Sequence, residues 1–306
     1  MSRFSEQLRV PVLVAPMFLV SGPELIIAAA HAGVAAAFPA PNARRVEDLE
    51  QWCQEIADAL GRERPWATNL IVHRTYDRLE SELDVLARYR PGLVITALGS
   101  PKRVLDRVHS WGGLVYADCA SPTHAQKALA AGADGVVLVC AGAGGHTGAY
   151  NPFSFAAEVR GFWDGPMVLA GGICDGRGIR AAEVLGAEMV YMGTRFIATP
   201  ESLVPEDQRQ MVVETGMEDI VLSDSVTGVP ANWMRASLER SGHLAVPDRG
   251  ADFSGDISEN KAWKHIWSAG HSVAQVRGRA TVAEIVEQLT AEYVAAGGVV
   301  QDVGVA

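Results

Sequence analysis

The sequence predicts an α/β protein: a (β/α)8 barrel of the TIM-barrel class, with a small helical insertion serving as a substrate domain. Three observations predict it. From residue 12 to about 199, a short β-branched or apolar run, a Gly/Pro/Asn/Ser break and an amphipathic helical stretch follow one another repeatedly, the pattern of βα units. Eight such runs fall within about 190 residues, the number of strands that closes a barrel. The GxGxxG that would follow the first strand of a dinucleotide-binding open sheet is missing, which argues against the doubly wound alternative.

Taken in order, the predicted strands are VLVAP (12–16), GVAAAF (33–38), WATNLIV (66–72), LVITAL (93–98), LVYADC (114–119), GVVLVC (135–140), PMVLAG (166–171) and MVYMG (189–193). Between them, GPELIIAAAHAG reads as a helix with Pro23 in its first turn, where a missing N–H has no helical partner to lose. SPTHAQKALAAGA reads as another, with Ser121 as its cap and Pro122 at the first helical position. Ala-Gly pairs at 32–33, 131–132 and 186–187 fit helix C-termini that feed the next strand. The rhythm breaks over 203–264. There EDQRQMVVETG and NWMRASLERSG read as helices and VPDRGADFSGDISEN as a polar connector, together a helical insertion over one barrel mouth. WKHIWSAG (263–270) and an amphipathic helix over 281–296 return to the barrel. The expected division is therefore barrel 1–202, insertion 203–264 and C-terminal return 265–306.

Composition narrows the function. With 306 residues, 48% hydrophobic and 20% charged, the chain has the profile of a compact enzyme. A formal charge of −10 with no offsetting basic segment disfavours nucleic-acid partners. The first 20 residues lack the continuous apolar core of a signal peptide, and no apolar run reaches the roughly 20 residues that span a bilayer, so a cytoplasmic enzyme without a membrane partner is expected. A homodimer is the expected assembly. Cys53, Cys119, Cys140 and Cys174 lack CxxC or Cys/His spacing, so neither zinc nor a disulfide framework is expected; Cys140 and Cys174 read as small buried thiols.

In a barrel of this class the chemistry gathers at the C-terminal ends of the strands, and phosphate commonly binds at the loops after the seventh and eighth. Those loops here are AGGICDGRG (170–178), with Gly171 and Gly172, and MGTRF (192–196), with Gly193 and Thr194. Glycine lets backbone N–H groups approach a phosphate, and a following helix N-terminus adds a favourable dipole. FMN, a sugar phosphate or pyridoxal phosphate could supply it. The last is disfavoured because Lys102, Lys127, Lys261 and Lys264 all fall outside predicted strand ends. After the sixth strand, CAGAGGHTGAY (140–150) sets His146 among small residues that leave room for a flat ring, with an imidazole able to move a proton near neutral pH. The other histidines read as ordinary surface or core groups. A non-redox lyase or isomerase using Asp118 and His146 as an acid/base pair stays open at this point.

The chain resembles the FMN-dependent nitronate monooxygenases, formerly called 2-nitropropane dioxygenases, and their relatives the FabK-type enoyl reductases and certain NADH:quinone reductases. The resemblance rests on VLVAPMFLVSGPEL (12–25), TNL (68–70), AGGHTG (143–148), AGGICDGRG, MGTRF and WSAG (267–270). It implies FMN across the barrel mouth, its ring near Ala15, Pro16, Met17, Asn69, Asp118 and Gly145. It implies a phosphate held by Gly171, Gly172, Gly193 and Thr194 with Ser268 to Gly270. It also implies His146 as the catalytic group, orienting a nitro group or taking the α-proton of a nitroalkane, with O2 as co-substrate. NAD(P)H would be the reductant if the chain instead reduces enoyl thioesters or quinones. Trp233, Met234 and Tyr150 could line a substrate pocket. Two positions depart from the common pattern: Gly142 stands where many relatives carry an acidic residue, and Asp118 where many carry a flavin-contacting lysine.

Overall fold

The alternation of apolar runs and amphipathic stretches resolves into strands and helices in the computed structural model, which describes residues 4–61, 65–242 and 265–303. In chain order the strands are β1 (Val12–Val14), β2 (Ala35–Pro39), β3 (Ala67–Ile71), β4 (Leu93–Ala97), β5 (Leu114–Cys119), β6 (Gly135–Val139), β7 (Gly145–His146), β8 (Met167–Ala170), β9 (Met189–Met192), β10 (Ile220–Ser223) and β11 (Ala231–Met234). Eight of them form a closed parallel barrel in the order β1-β2-β3-β4-β5-β6-β8-β9. Closure is made by β9 against β1, with Leu13 opposite Tyr191. The (β/α)8 expectation holds.

Around the barrel run α1 (Pro23–His31), α2 (Val46–Leu60), α3 (Leu79–Tyr89), α4 (Leu105–Ser110), α5 (Pro122–Ala130), α6 (Pro152–Arg160) and α7 (Gly176–Val184). After the short α8 (Thr194–Ile197) come α9 (Glu206–Glu214), α10 (Arg235–Ser241) and α11 (Val282–Ala295). Helix α11 packs between α1 and α7 and so completes the outer ring after a long excursion. The start signals work as the residues suggest. Ser121 Oγ accepts the His124 N–H at 3.2 Å, and Thr281 and Glu284 form a reciprocal capping box. Gly33, Gly132 and Gly186, each just past a helix, take φ of 89°, 105° and 90°, a region closed to most side chains.

Two apolar layers follow from strand alternation. Inward residues such as Leu13, Ala37, Ala67, Ile95, Tyr116, Val137, Val168 and Tyr191 fill the barrel, and Phe4 and Leu8 plug its N-terminal end. Outward residues such as Val14, Phe38, Val94 and Leu138 pack under the helices.

The insertion departs from the helical reading in one place. Residues 232–234, expected to open a helix, lie in β11, which pairs with β10 on one side and with β7 on the other; helix begins only at Arg235. Trp233 explains the preference. Its ring is fully buried and its Nε1 donates to the Ser223 carbonyl at 3.1 Å, an arrangement that the extended backbone allows. The polar connector at 246–260, with His243, Lys261, Trp263 and Lys264, lies outside the described residues. Among the described residues no helix is long and apolar enough to cross a membrane.

Candidate active site

The barrel mouth is assembled from the segments that leave β1, β6, β8 and β9, crossed by the antiparallel strap of β10, β11 and β7. After β1 the chain turns through Ala15, Pro16 and Met17. The Ala15 N–H donates to the Met192 carbonyl at 3.1 Å, which keeps this segment beside β9. Asn42 clamps the turn: its Nδ2 donates to the carbonyls of Met17 and Ser21 at 3.0 and 2.8 Å, and its Oδ1 accepts the Leu19 N–H at 2.9 Å. Those bonds hold Leu19 at φ 60°, where a non-glycine residue needs such support. A Cβ on Gly193 would sit 3.3 Å from Met17 Sδ and 3.5 Å from Ala15 Cβ, so the approach of the two loops depends on glycine.

Sequence reading takes CAGAGGHTGAY as a loop, yet its centre is a strand. In β7, Gly145 lies opposite Asn232 and His146 opposite Ala231. Asn232 is buried, and its Nδ2 donates to the Ala143 carbonyl at 2.7 Å; the Thr147 N–H donates to the Pro230 carbonyl at 3.2 Å. The imidazole is therefore carried by a sheet. His146 Nε2 lies 3.5 Å from Thr227 Oγ1, whose own proton is directed to the Val229 carbonyl at 3.1 Å. That leaves the threonine oxygen as an acceptor and favours the tautomer with the proton on Nε2. Burial pushes the His146 pKa below its ordinary value, so the ring is neutral at pH 7.

The glycine-rich segments pack backbone against backbone. The Gly270 N–H donates to Thr194 Oγ1 at 2.9 Å, and the His271 N–H to the Gly142 carbonyl at 3.0 Å. A Cβ on Gly144 would lie 2.8 Å from the Gly270 nitrogen, and one on Gly270 would lie 2.5 Å from the Gly142 oxygen. Gly142 itself has φ 90°, and a Cβ there would lie 3.0 Å from His271 Nδ1, so an acidic side chain at this position would collide with the imidazole. Gly171 (φ 118°) abuts the Ala141 and Cys140 carbonyls, whereas Gly172 (φ 73°) has open space about its α-carbon. The first turn of α7 is already engaged. The Gly176 N–H donates to Glu292 Oε2 at 3.0 Å and the Gly178 N–H to Asp175 Oδ1 at 2.7 Å. The helix that follows the seventh-strand loop thus spends those two donors on the protein's own carboxylates. Ser268 extends the strap by an antiparallel bridge to Trp233.

Below the mouth, alternation points Asn69 of β3 and Asp118 of β5 into the barrel, and Asn69 Nδ2 donates to Asp118 Oδ2 at 3.4 Å. Burial pushes the Asp118 carboxyl up to about 7. Asp118 Oδ1 and the Tyr191 hydroxyl are both buried with no hydrogen-bond partner among the described residues. Burial first, and then the nearby Asp118 charge, raise the Tyr191 phenol far above its ordinary range. These orphaned groups, the bare backbone at Gly172 and the glycine-lined junction suit a flat, polar-edged, phosphorylated ligand such as FMN. The thiols offer no alternative chemistry: burial pushes Cys53, Cys119 and Cys140 up to about 12 and Cys174 up to about 11.

The structure thus brings Ala15 and Met17 to Gly193, Thr194 to Gly270, Gly270 to Gly142 and Gly144, and Asn69 to Asp118. Trp233 and Met234 are fully buried in the strap, and Tyr150 is 48% exposed, so the first two serve as packing. Sequence reasoning missed Asn42, Asn232, Thr227 and Tyr191. A buried asparagine carries no local pattern, and in the sequence Tyr191 is one more residue of an apolar run.

A family model described as nitronate monooxygenase matches residues 27–292. The chain is 30% identical over 238 residues to a 5-hydroxy-7a-methyl-1-oxo-octahydro-1H-indene-4-carboxyl-CoA dehydrogenase of Rhodococcus jostii, an alignment covering 76% of this chain and 66% of that one. It is 36% identical over 183 residues to a nitronate monooxygenase of Pseudomonas aeruginosa, covering 54% and 51%. The chain therefore spans about two thirds of the first relative and about half of the second. Among solved structures, a mutant of FabK from Thermotoga maritima superposes with a TM-score of 0.79 at 26% identity, over 95% of this chain and 94% of that one.

Proposed function

The chain belongs to the nitronate monooxygenase family, and from that premise we propose that it is an FMN-dependent oxidoreductase that oxidises alkyl nitronates with O2. The observation that carries this reading is the placement of His146. A neutral, half-buried imidazole is held by strand pairing beside a mouth lined with glycine and orphaned polar groups. Ala15, Pro16, Met17, Asn69, Asp118 and Gly145 would meet the ring of the cofactor. Gly171, Gly172, Gly193, Thr194, Ser268 and Gly270 would meet its phosphate. Bound FMN would supply an electron acceptor that O2 can reoxidise. His146, neutral at pH 7, takes the α-proton of a nitroalkane on its unprotonated nitrogen or, protonated, donates a hydrogen bond to a nitronate oxygen. The strap fixes the backbone that carries this ring. The enzyme is read as cytoplasmic and homodimeric, acting on a small molecule with no nucleic-acid or membrane partner.

A second reading is NAD(P)H-dependent reduction of enoyl thioesters or quinones. The thioester named in the Rhodococcus jostii relative and the FabK superposition favour it. One experiment separates the two. Purified protein is expected to be yellow, or to become so with FMN, and an anaerobic titration should bleach the flavin with a nitronate and leave it oxidised with NADH or NADPH. Rapid bleaching by NADH or NADPH would favour the second reading, and protein that ignores added FMN would remove both.

A further inference from the structure

Within the barrel, below the glycine loops, three polar side chains converge from β3, β5 and β9, and only one bond joins them: Asn69 Nδ2 to Asp118 Oδ2. Among the described residues nothing pairs with Asp118 Oδ1 or the Tyr191 hydroxyl, which lie among apolar neighbours of the inner layer. Buried polar atoms are rarely left so unless a ligand completes them. Their position supports this. Tyr191 lies two residues before Gly193, and Asp118 lies one residue before the C-terminal end of β5, so both project beneath the mouth where the cofactor residues gather.

The groups facing Asp118 decide its protonation state. From β3 it meets the neutral amide of Asn69, from β9 the phenol of Tyr191, and on its own strand the thiol of Cys119, itself raised to about 12. None of these is a cation. Burial lifts the carboxyl to about 7, and the single long hydrogen bond from Asn69, which favours the carboxylate, only partly opposes it.

Resting on the flavin reading above, we propose that Asp118 meets the cofactor as a neutral carboxylic acid. It pairs its O–H and C=O with an amide-like edge of the flavin's pyrimidine ring, and Tyr191 adds a further hydrogen bond. A carboxylic acid offers adjacent donor and acceptor atoms, the complement of an edge carrying C=O beside N–H. An ionised carboxylate offers acceptors alone and would repel the carbonyl oxygens. The sign follows directly: binding is full while Asp118 is protonated and weakens as pH rises through about 7.

The test is FMN affinity, read by fluorescence quenching across about pH 6 to about pH 9, for the whole chain and for Asp118→Asn and Tyr191→Phe. The wild-type protein should lose affinity by about tenfold over that range, one charge-dependent hydrogen bond's worth. Asp118→Asn, whose amide keeps a donor and an acceptor at every pH, should bind with little pH dependence. Tyr191→Phe should bind more weakly at every pH and keep the wild-type slope. Far-UV circular dichroism of each variant guards against misfolding. If FMN binds and Asp118→Asn keeps the wild-type profile, this inference is overturned while the flavin reading stands. If FMN binds none of the three proteins at any pH, the flavin reading itself falls.

Discussion

The proposed role of His146 rests on three local facts: burial that lowers its pKa, a threonine oxygen 3.5 Å from Nε2, and strand pairing that fixes the backbone carrying the ring. A base must be unprotonated to accept a proton, and a histidine whose pKa is lowered is unprotonated above that lowered value. We therefore expect kcat/KM for a nitroalkane to be level near neutrality and to fall only as pH drops below the ordinary histidine range. His146→Ala should keep bound flavin while kcat falls by about 10²- to 10⁴-fold, the usual worth of a positioned proton-transfer group. Unchanged kcat would make the ring a packing residue. The glycine-flanked histidine was legible in the sequence because Gly-rich turns beside a strand end are a strong local signal. Its protonation state was not, since the segments that meet the ring's residue, Thr227 and β11, lie about 80 to 90 residues further along the chain.

At the scale of elements, the strap is where reading and structure part. Residues 232–234 look like the start of a helix, and their helical continuation in α10 is real, but pairing with β7 and β10 and the burial of Trp233 hold them extended. Strand preference of this kind depends on the partner rather than on the segment. Asn232 ties the strap to the histidine segment through the Ala143 carbonyl. Asn232→Ala would leave that part-buried carbonyl without its side-chain donor, at a cost of about 1 kcal/mol, and would loosen His146. The expected result is a lower melting temperature together with a kcat loss larger than any change in KM. A stability loss with kcat intact would mean that the strap packs the mouth without aligning the imidazole. The βα rhythm, by contrast, transferred directly to structure: each predicted barrel strand is present, and the caps at Ser121 and Thr281 behave as their side chains suggest.

For the molecule as a whole, the site is a junction of segments from both ends of the chain, with Ala15 beside Gly193 and Gly270 beside Gly142. A ligand that spans such a junction binds the folded state alone, so saturating FMN should raise the melting temperature. At about 100 times Kd the gain is about 2.7 kcal/mol. A melting curve that does not move with FMN would count against the proposed cofactor. The barrel could be read from the order of residues, because the apolar runs and amphipathic stretches repeat locally and eight such units are the number that closes one. That order also marked the glycine loops, because only glycine tolerates the backbone approach they require. Tertiary structure alone decided the strap that carries His146, the Asn42 clamp on the β1 loop, the capping of α7 by Glu292 and the meeting of Asn69, Asp118 and Tyr191. Each of these joins residues far apart in the chain through single hydrogen bonds or burial, and neither leaves a periodic trace in the order of amino acids.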